Sequence, residues 1–204
     1  NMKLDRLNLP AVIFKYNEGA DSVNKAEGSI EPIWKDTLGA AVTEEEISAV
    51  KPTRTNYEFM GWYDKADGGS KVNSIAELND TVILYAAWRE KVAPEGSISV
   101  VSKEEDRSIW KDVVNAITFG KIFAKEATVT IEAEDTGRNT GVINSGVDTI
   151  SYYISDKALS SDEVNSISAW KLYSAPFTVS DPEKVVIYVK IIDKANNETY
   201  LSSD

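Results

Sequence analysis

The chain contains no cysteine and no histidine in 204 residues. A Ser-His-Asp or Cys-His nucleophile is therefore excluded, and so is a zinc site built from Cys and His. Any acid–base chemistry near neutral pH would fall to carboxylates, lysine or tyrosine. The missing cysteines do not by themselves assign a redox compartment. Proline is scarce, at 6 residues, while apolar residues make up 42% and charged residues 27%. That balance supports packed cores and argues against disorder. No apolar run approaches the roughly 20 residues that span a bilayer, and no export signal or wall anchor is visible. The chain starts at Asn1 in mid-pattern and stops at Asp204 in a strand-like context, so it reads as an excerpt. Positive charge is also in short supply, with a formal net charge of −11. Residues 11–88 carry 7 basic and 13 acidic side chains, and residues 97–204 carry 11 and 17. Neither half offers a basic face for nucleic acid or anionic lipid.

What is present is a succession of strand-like segments. The AVIFKY stretch at 11–16 is β-branched and aromatic, and the polar NEGADS after it reads as a turn. Residues 29–35 suggest a second strand, which Pro32 confines to an edge or a bulge. Thr43-Glu44-Glu45-Glu46 forms a capping box that opens a short helix, stopped by Pro52, with Ile47 and Val50 on its buried side. Strands are expected through Tyr57–Tyr63 and Val82–Trp88, with a hairpin-like turn at Asp67-Gly68-Gly69. The segment 89–96, holding Pro94 and Gly96, reads as a linker of limited bending. Beyond it, 127–134 alternates with Val129, Ile131 and Ala133 on one face. Residues 149–155 place Ile150, Tyr152 and Ile154 on one face, and 185–193 is apolar on both faces, as a central strand would be. Ser160-x-x-Glu163 is a second capping box.

The spacing of Pro52-Thr53-Arg54, Gly61-Trp62-Tyr63 and the closing strand Thr81, Leu84, Tyr85, Ala86 and Trp88 resembles the Listeria–Bacteroides repeat, the small module of internalin-type bacterial surface proteins. The middle of this stretch, AEGSIEPIWKDTLGAAVTEEEISAV, is longer than the family core. Residues 110–135, 148–156 and 185–204 resemble bacterial Ig-like domains of Gram-positive surface proteins. Their Asp193-Lys194-Ala195-Asn196-Asn197 turn carries Asn196 where the family usually has glycine, and asparagine tolerates the left-handed conformation.

These resemblances imply a mainly β chain of two domains. Residues 1–10 would be a linker or the tail of a preceding module, and 11–88 a β-grasp-like repeat with one short helix. Residues 89–96 would be a linker and 97–204 an Ig-like β-sandwich. They further imply a non-catalytic structural or adhesive segment at the bacterial cell surface or wall, or secreted. Its expected partners are a host or matrix protein or glycan and neighbouring modules of the same chain, with no nucleic acid, no membrane insertion within the segment, and a monomeric state. The alternative is a carbohydrate-binding accessory module of a secreted enzyme.

No catalytic, cofactor-binding or metal residue is assigned from the sequence. Three constellations remain open beside that reading. Glu132, Glu134 and Asp135 end a strand near the Asp193 turn, and with the Asn196 oxygen they could supply ligands for Ca2+; the alternative is a set of strand-end Asx turns. Lys103 or Lys111, Glu132 and Asn197 are residue types from which a Lys–Asn isopeptide bond could form. Trp62, Tyr63, Tyr85 and Trp88 could make an aromatic platform, against a reading in which most of these rings are core. A glycosidase pair of carboxylates would need a cleft that two small domains have little room for.

Overall fold

The computed structural model describes residues 9–21, 23–102, 126–137 and 140–204. They fall into two compact units, one made of Asn1–Lys91 with Thr140–Ile143, the other of Val92–Asn139 with Asn144–Asp204. Residues 103–125, which include the 110–125 stretch, Lys103 and Lys111, lie outside the described residues.

The first unit is built on a four-stranded sheet from β1 (Ala11–Lys15), β3 (Ile33–Trp34), β6 (Tyr57–Tyr63) and β8 (Val82–Glu90), in the order β3-β1-β8-β6. The central strands β1 and β8 run parallel, and both outer pairings are antiparallel. This is the β-grasp arrangement: parallel neighbours need a long crossover, and the chain between them supplies the single helix α1 (Glu44–Ala49). The capping box of α1 forms as its sequence predicts, Thr43 Oγ1 accepting from Glu46 N and Glu46 accepting from Thr43 N. Lys35 adds an ion pair to Glu46 at 2.6 Å. Ile47 is buried and Val50 is half-buried against the core. Pro32 indeed precedes an edge strand, β3.

Two short pairings were not legible beforehand. Strand β2 (Ala26–Glu27) pairs with β5 (Thr53–Arg54), and β4 (Ala40–Val42) pairs with β7 (Ile75–Leu78). The turn around Gly68 therefore does not lead straight into the last strand. Lys71 and Val72 run back along β6, through a Tyr63–Lys71 bridge and a Val72 N to Trp62 O bond, before the chain departs to β7.

The face of β6 that meets the core is decided by a β-bulge. Phe59 lies opposite Trp88, Gly61 opposite Ala87 and Trp62 opposite Ala86, so Met60 is the extra residue. A bulge shifts the alternation by one, which lets Phe59 and Trp62 point to the same side. Gly61 has φ +125°, a conformation that residues with a Cβ rarely adopt. Simple alternation would have set Phe59 and Trp62 on opposite sides of the sheet; in the structure they share one. The core comprises Val12, Phe14, Val42, Ile47, Trp62, Leu78, Leu84 and Ala86.

The second unit is an antiparallel sandwich. One sheet has the order β13 (Phe177–Ser180), β10 (Glu126–Glu134), β9 (Glu95–Ser102). The other has the order β12 (Lys171–Leu172), β11 (Val147–Ser155), β14 (Val186–Asp193), β15 (Glu198–Ser202). Both contribute to one core, with Ala127, Val129 and Ile131 from β10 meeting Ile187, Val189 and Ile191 from β14. Strand β14 is central, as its two apolar faces require. Tyr152 stacks on Phe177 at 4.1 Å between ring centres, joining the two sheets. The second capping box forms at α2 (Ser161–Asn165), between Ser160 and Glu163. Arg89 and Glu90 complete β8, and Glu95 opens β9.

Candidate functional site

The four rings of the possible platform do not share a surface. Trp62 is 2% exposed and contacts Phe14 and Phe59, with ring centres 4.5 and 5.2 Å away. Its indole N–H donates to Val50 O at 2.7 Å, satisfying a carbonyl at the end of α1. Trp88 is half-buried beside Phe59 and donates to Tyr16 O at 2.7 Å. Tyr63 and Tyr85 are cross-strand neighbours on the other side of the sheet. That outward face also carries Ile13 beside Ile83 and, at the edge, Trp34 beside Ala11. Trp34 and Ile83 are 43% and 41% exposed.

The densest polar constellation of the first unit is one the sequence reading passed over as a turn. The Asp21 side chain is fully enclosed. Its Oδ1 accepts from Val23 N and Asn24 N, and its Oδ2 accepts from Asn24 Nδ2 and the Tyr57 hydroxyl, all at 2.8–3.0 Å. The guanidinium of Arg54 lies 3.3 Å from the same Oδ2. Arg54 also donates to Asn24 O and Glu18 O and sits 3.9 Å above the Tyr57 ring. The carboxylate accepts four hydrogen bonds and faces the guanidinium, so the group binds turn to strand. The signal in the sequence was present but weak: Asp-x-x-Asn is an Asx-turn pattern, and an arginine between Pro52 and the core strand is a candidate for a buried pair.

Burial pushes the Asp21 carboxyl upward, but the backbone N–H groups of Asn24 and Val23, then Tyr57 and the Asn24 amide, outweigh it and hold it near about 2, against an ordinary 3.8. A carboxyl whose folded value is depressed contributes stability that is complete above its unfolded value and lost as pH falls through the folded one. We therefore expect the stability advantage of the wild-type chain over Asp21→Asn to be constant above about pH 5 and to shrink between about pH 4 and pH 2. Urea midpoints of both proteins across that range would check it. An advantage that persisted unchanged to pH 2 would contradict the assigned hydrogen bonds.

In the second unit the acids at the end of β10 divide. Glu132 and Glu134 are exposed, whereas Asp135 turns toward the Asp193 turn. Asp193 is 1% exposed. Its Oδ1 accepts from Ala195 N and Asn197 N, and its Oδ2 from Asn197 Nδ2, each at 2.8 Å. Asn196 adopts φ +65°, so the left-handed conformation expected of a glycine is met by asparagine. Asp135 Oδ2 accepts from Gly146 N at 2.8 Å and from the Ser145 hydroxyl at 3.5 Å. Ser145 Oγ in turn accepts from Ala195 N at 3.1 Å, which ties the two acids to one loop. Carboxylate oxygens of Asp135 and Asp193 come within 4.8 Å of one another. Two full charges at that distance repel by on the order of 3 kcal/mol at an effective dielectric near 20.

For the isopeptide constellation, Glu132 is exposed and the Asn197 amide is hydrogen-bonded to Asp193; its lysines, Lys103 and Lys111, lie outside the described residues. Among the described residues no helix is long and apolar enough to cross a membrane.

Neither the curated proteins nor the solved structures provide a match to this chain. A family model does: residues 11–87 match the Listeria-Bacteroides repeat domain.

Proposed function

We propose that the chain is a non-catalytic structural or adhesive segment of a bacterial cell-surface or secreted protein. Its modules would act as stalk, spacer or ligand-contacting units, with a host or matrix protein or glycan and neighbouring modules of the same chain as partners. The observation that carries this reading is the repeat-domain match over residues 11–87. It is supported by how that stretch uses its aromatic motif. Trp62 and Phe59 go into the core, and Trp88 packs half-buried against Phe59. The buried Arg54–Asp21 pair closes the turn, with Arg54 also donating to Asn24 O and Glu18 O.

Antibody raised against this chain should label intact cells of the producing bacterium, and brief protease treatment of whole cells should remove the label. Label that appears only after lysis would overturn the surface reading. The second reading, a carbohydrate-binding accessory module, draws on the outward face with exposed Trp34 and the neighbouring Tyr63 and Tyr85. Retention on a glycan array that Trp34→Ala abolishes would select it over a pure spacer.

A further inference from the structure

We propose that Asp135 and Asp193 of the second unit bind a divalent cation, with Ca2+ the ion that fits best. Asp135 Oδ1 is sealed from solvent and has no hydrogen-bond partner, although the other oxygen of the same carboxylate has two. A buried carboxylate oxygen left without a donor is costly, and a second, almost fully buried carboxylate within 4.8 Å makes it more so.

Among the described residues the donors that reach the pair are neutral: backbone N–H groups, the Asn197 amide and the Ser145 hydroxyl. Among the described residues no lysine or arginine is ion-paired with either acid. Lys194 comes close to Gly146, 3.6 Å from where a Cβ would stand there, without forming such a pair. A small cation supplies the missing charge and occupies the orphaned oxygen at once. With oxygen ligands alone the site selects a hard ion, and Ca2+ tolerates irregular geometry and completes its shell with water, whereas Mg2+ demands a near-ideal octahedron. Two carboxylates and water describe a weak site, on the order of the 10⁻⁴–10⁻³ M affinities of extracellular modules.

The test uses the whole chain after chelation and desalting. Addition of Ca2+ to about ten times the dissociation constant should raise the Tm of the second unit by about 5 °C or more, and calorimetric titration should find one site. Asp135→Asn keeps an acceptor for Gly146 N and removes the charge. It should fold, by circular dichroism, and lose the Ca2+ response. No Tm shift and no binding heat in the wild-type chain would overturn the proposal, as would an undiminished response in Asp135→Asn.

Discussion

Replacing Trp62 with alanine should cost the first unit about 3–5 kcal/mol. The side chain is 2% exposed and touches Phe14 and Phe59 directly. Its removal opens a cavity that a stiff sheet cannot close, and it strips Val50 O of the indole donor. A domain's whole stability is about 5–15 kcal/mol, and a unit this small lies toward the lower end. The substitution should therefore leave the repeat largely unfolded near physiological temperature. Urea unfolding followed by near-ultraviolet circular dichroism would measure the loss. Trp62→Phe should fall in between, because it fills part of the volume and still forfeits the hydrogen bond. A loss below about 1 kcal/mol in Trp62→Ala would mean that the ring is peripheral, and the assignment of the aromatic motif to the core would fail with it.

Removing Arg54 should be nearly as damaging, for an electrostatic reason. Breaking a buried ion pair from one side costs about 3–5 kcal/mol, because the remaining charge stays desolvated. Arg54→Ala would leave Asp21 enclosed without its counter-charge and would take donors from Asn24 O and Glu18 O. It would also empty the space above the Tyr57 ring. Arg54→Lys should recover little, since an ammonium cannot reach both carbonyls and the carboxylate in one plane. Asp21→Ala combined with Arg54→Met should be less destabilised than the sum of the single changes. A double-mutant cycle by urea unfolding would give the coupling, and strict additivity would show that the two side chains do not act as a pair.

Much of this was open to reading before any coordinates. Both capping boxes form between the residues that spell them, because each is a contact over three residues and needs no tertiary partner. Alternation located β10 and β11, and the doubly apolar 185–193 stretch was correctly placed at the centre of a sheet. Asn196 took the left-handed turn that the local Asp-x-x-Asn-Asn pattern calls for. The misses share a cause. Nothing local announces that Met60 is an extra residue, so the side of the sheet that Trp62 occupies could not be told from its parity. The two-residue pairings of β2 with β5 and β4 with β7 are too short to show a period. Asp21 looked like one more turn acid until its distance to Arg54, 33 positions along the chain, was known.

The amino-acid sequence on its own settled where the longer strands run, where both α-helices begin, and that the chain is mainly β and acidic. Those properties depend on side-chain alternation and on hydrogen bonds a few residues apart. Only the tertiary structure decided which aromatic rings are enclosed, that Asp21 is a buried partner of Arg54, and that Asp135 confronts Asp193. Each of these depends on strand register and on contacts between residues far apart in the chain, which are set when the sheets close around their cores.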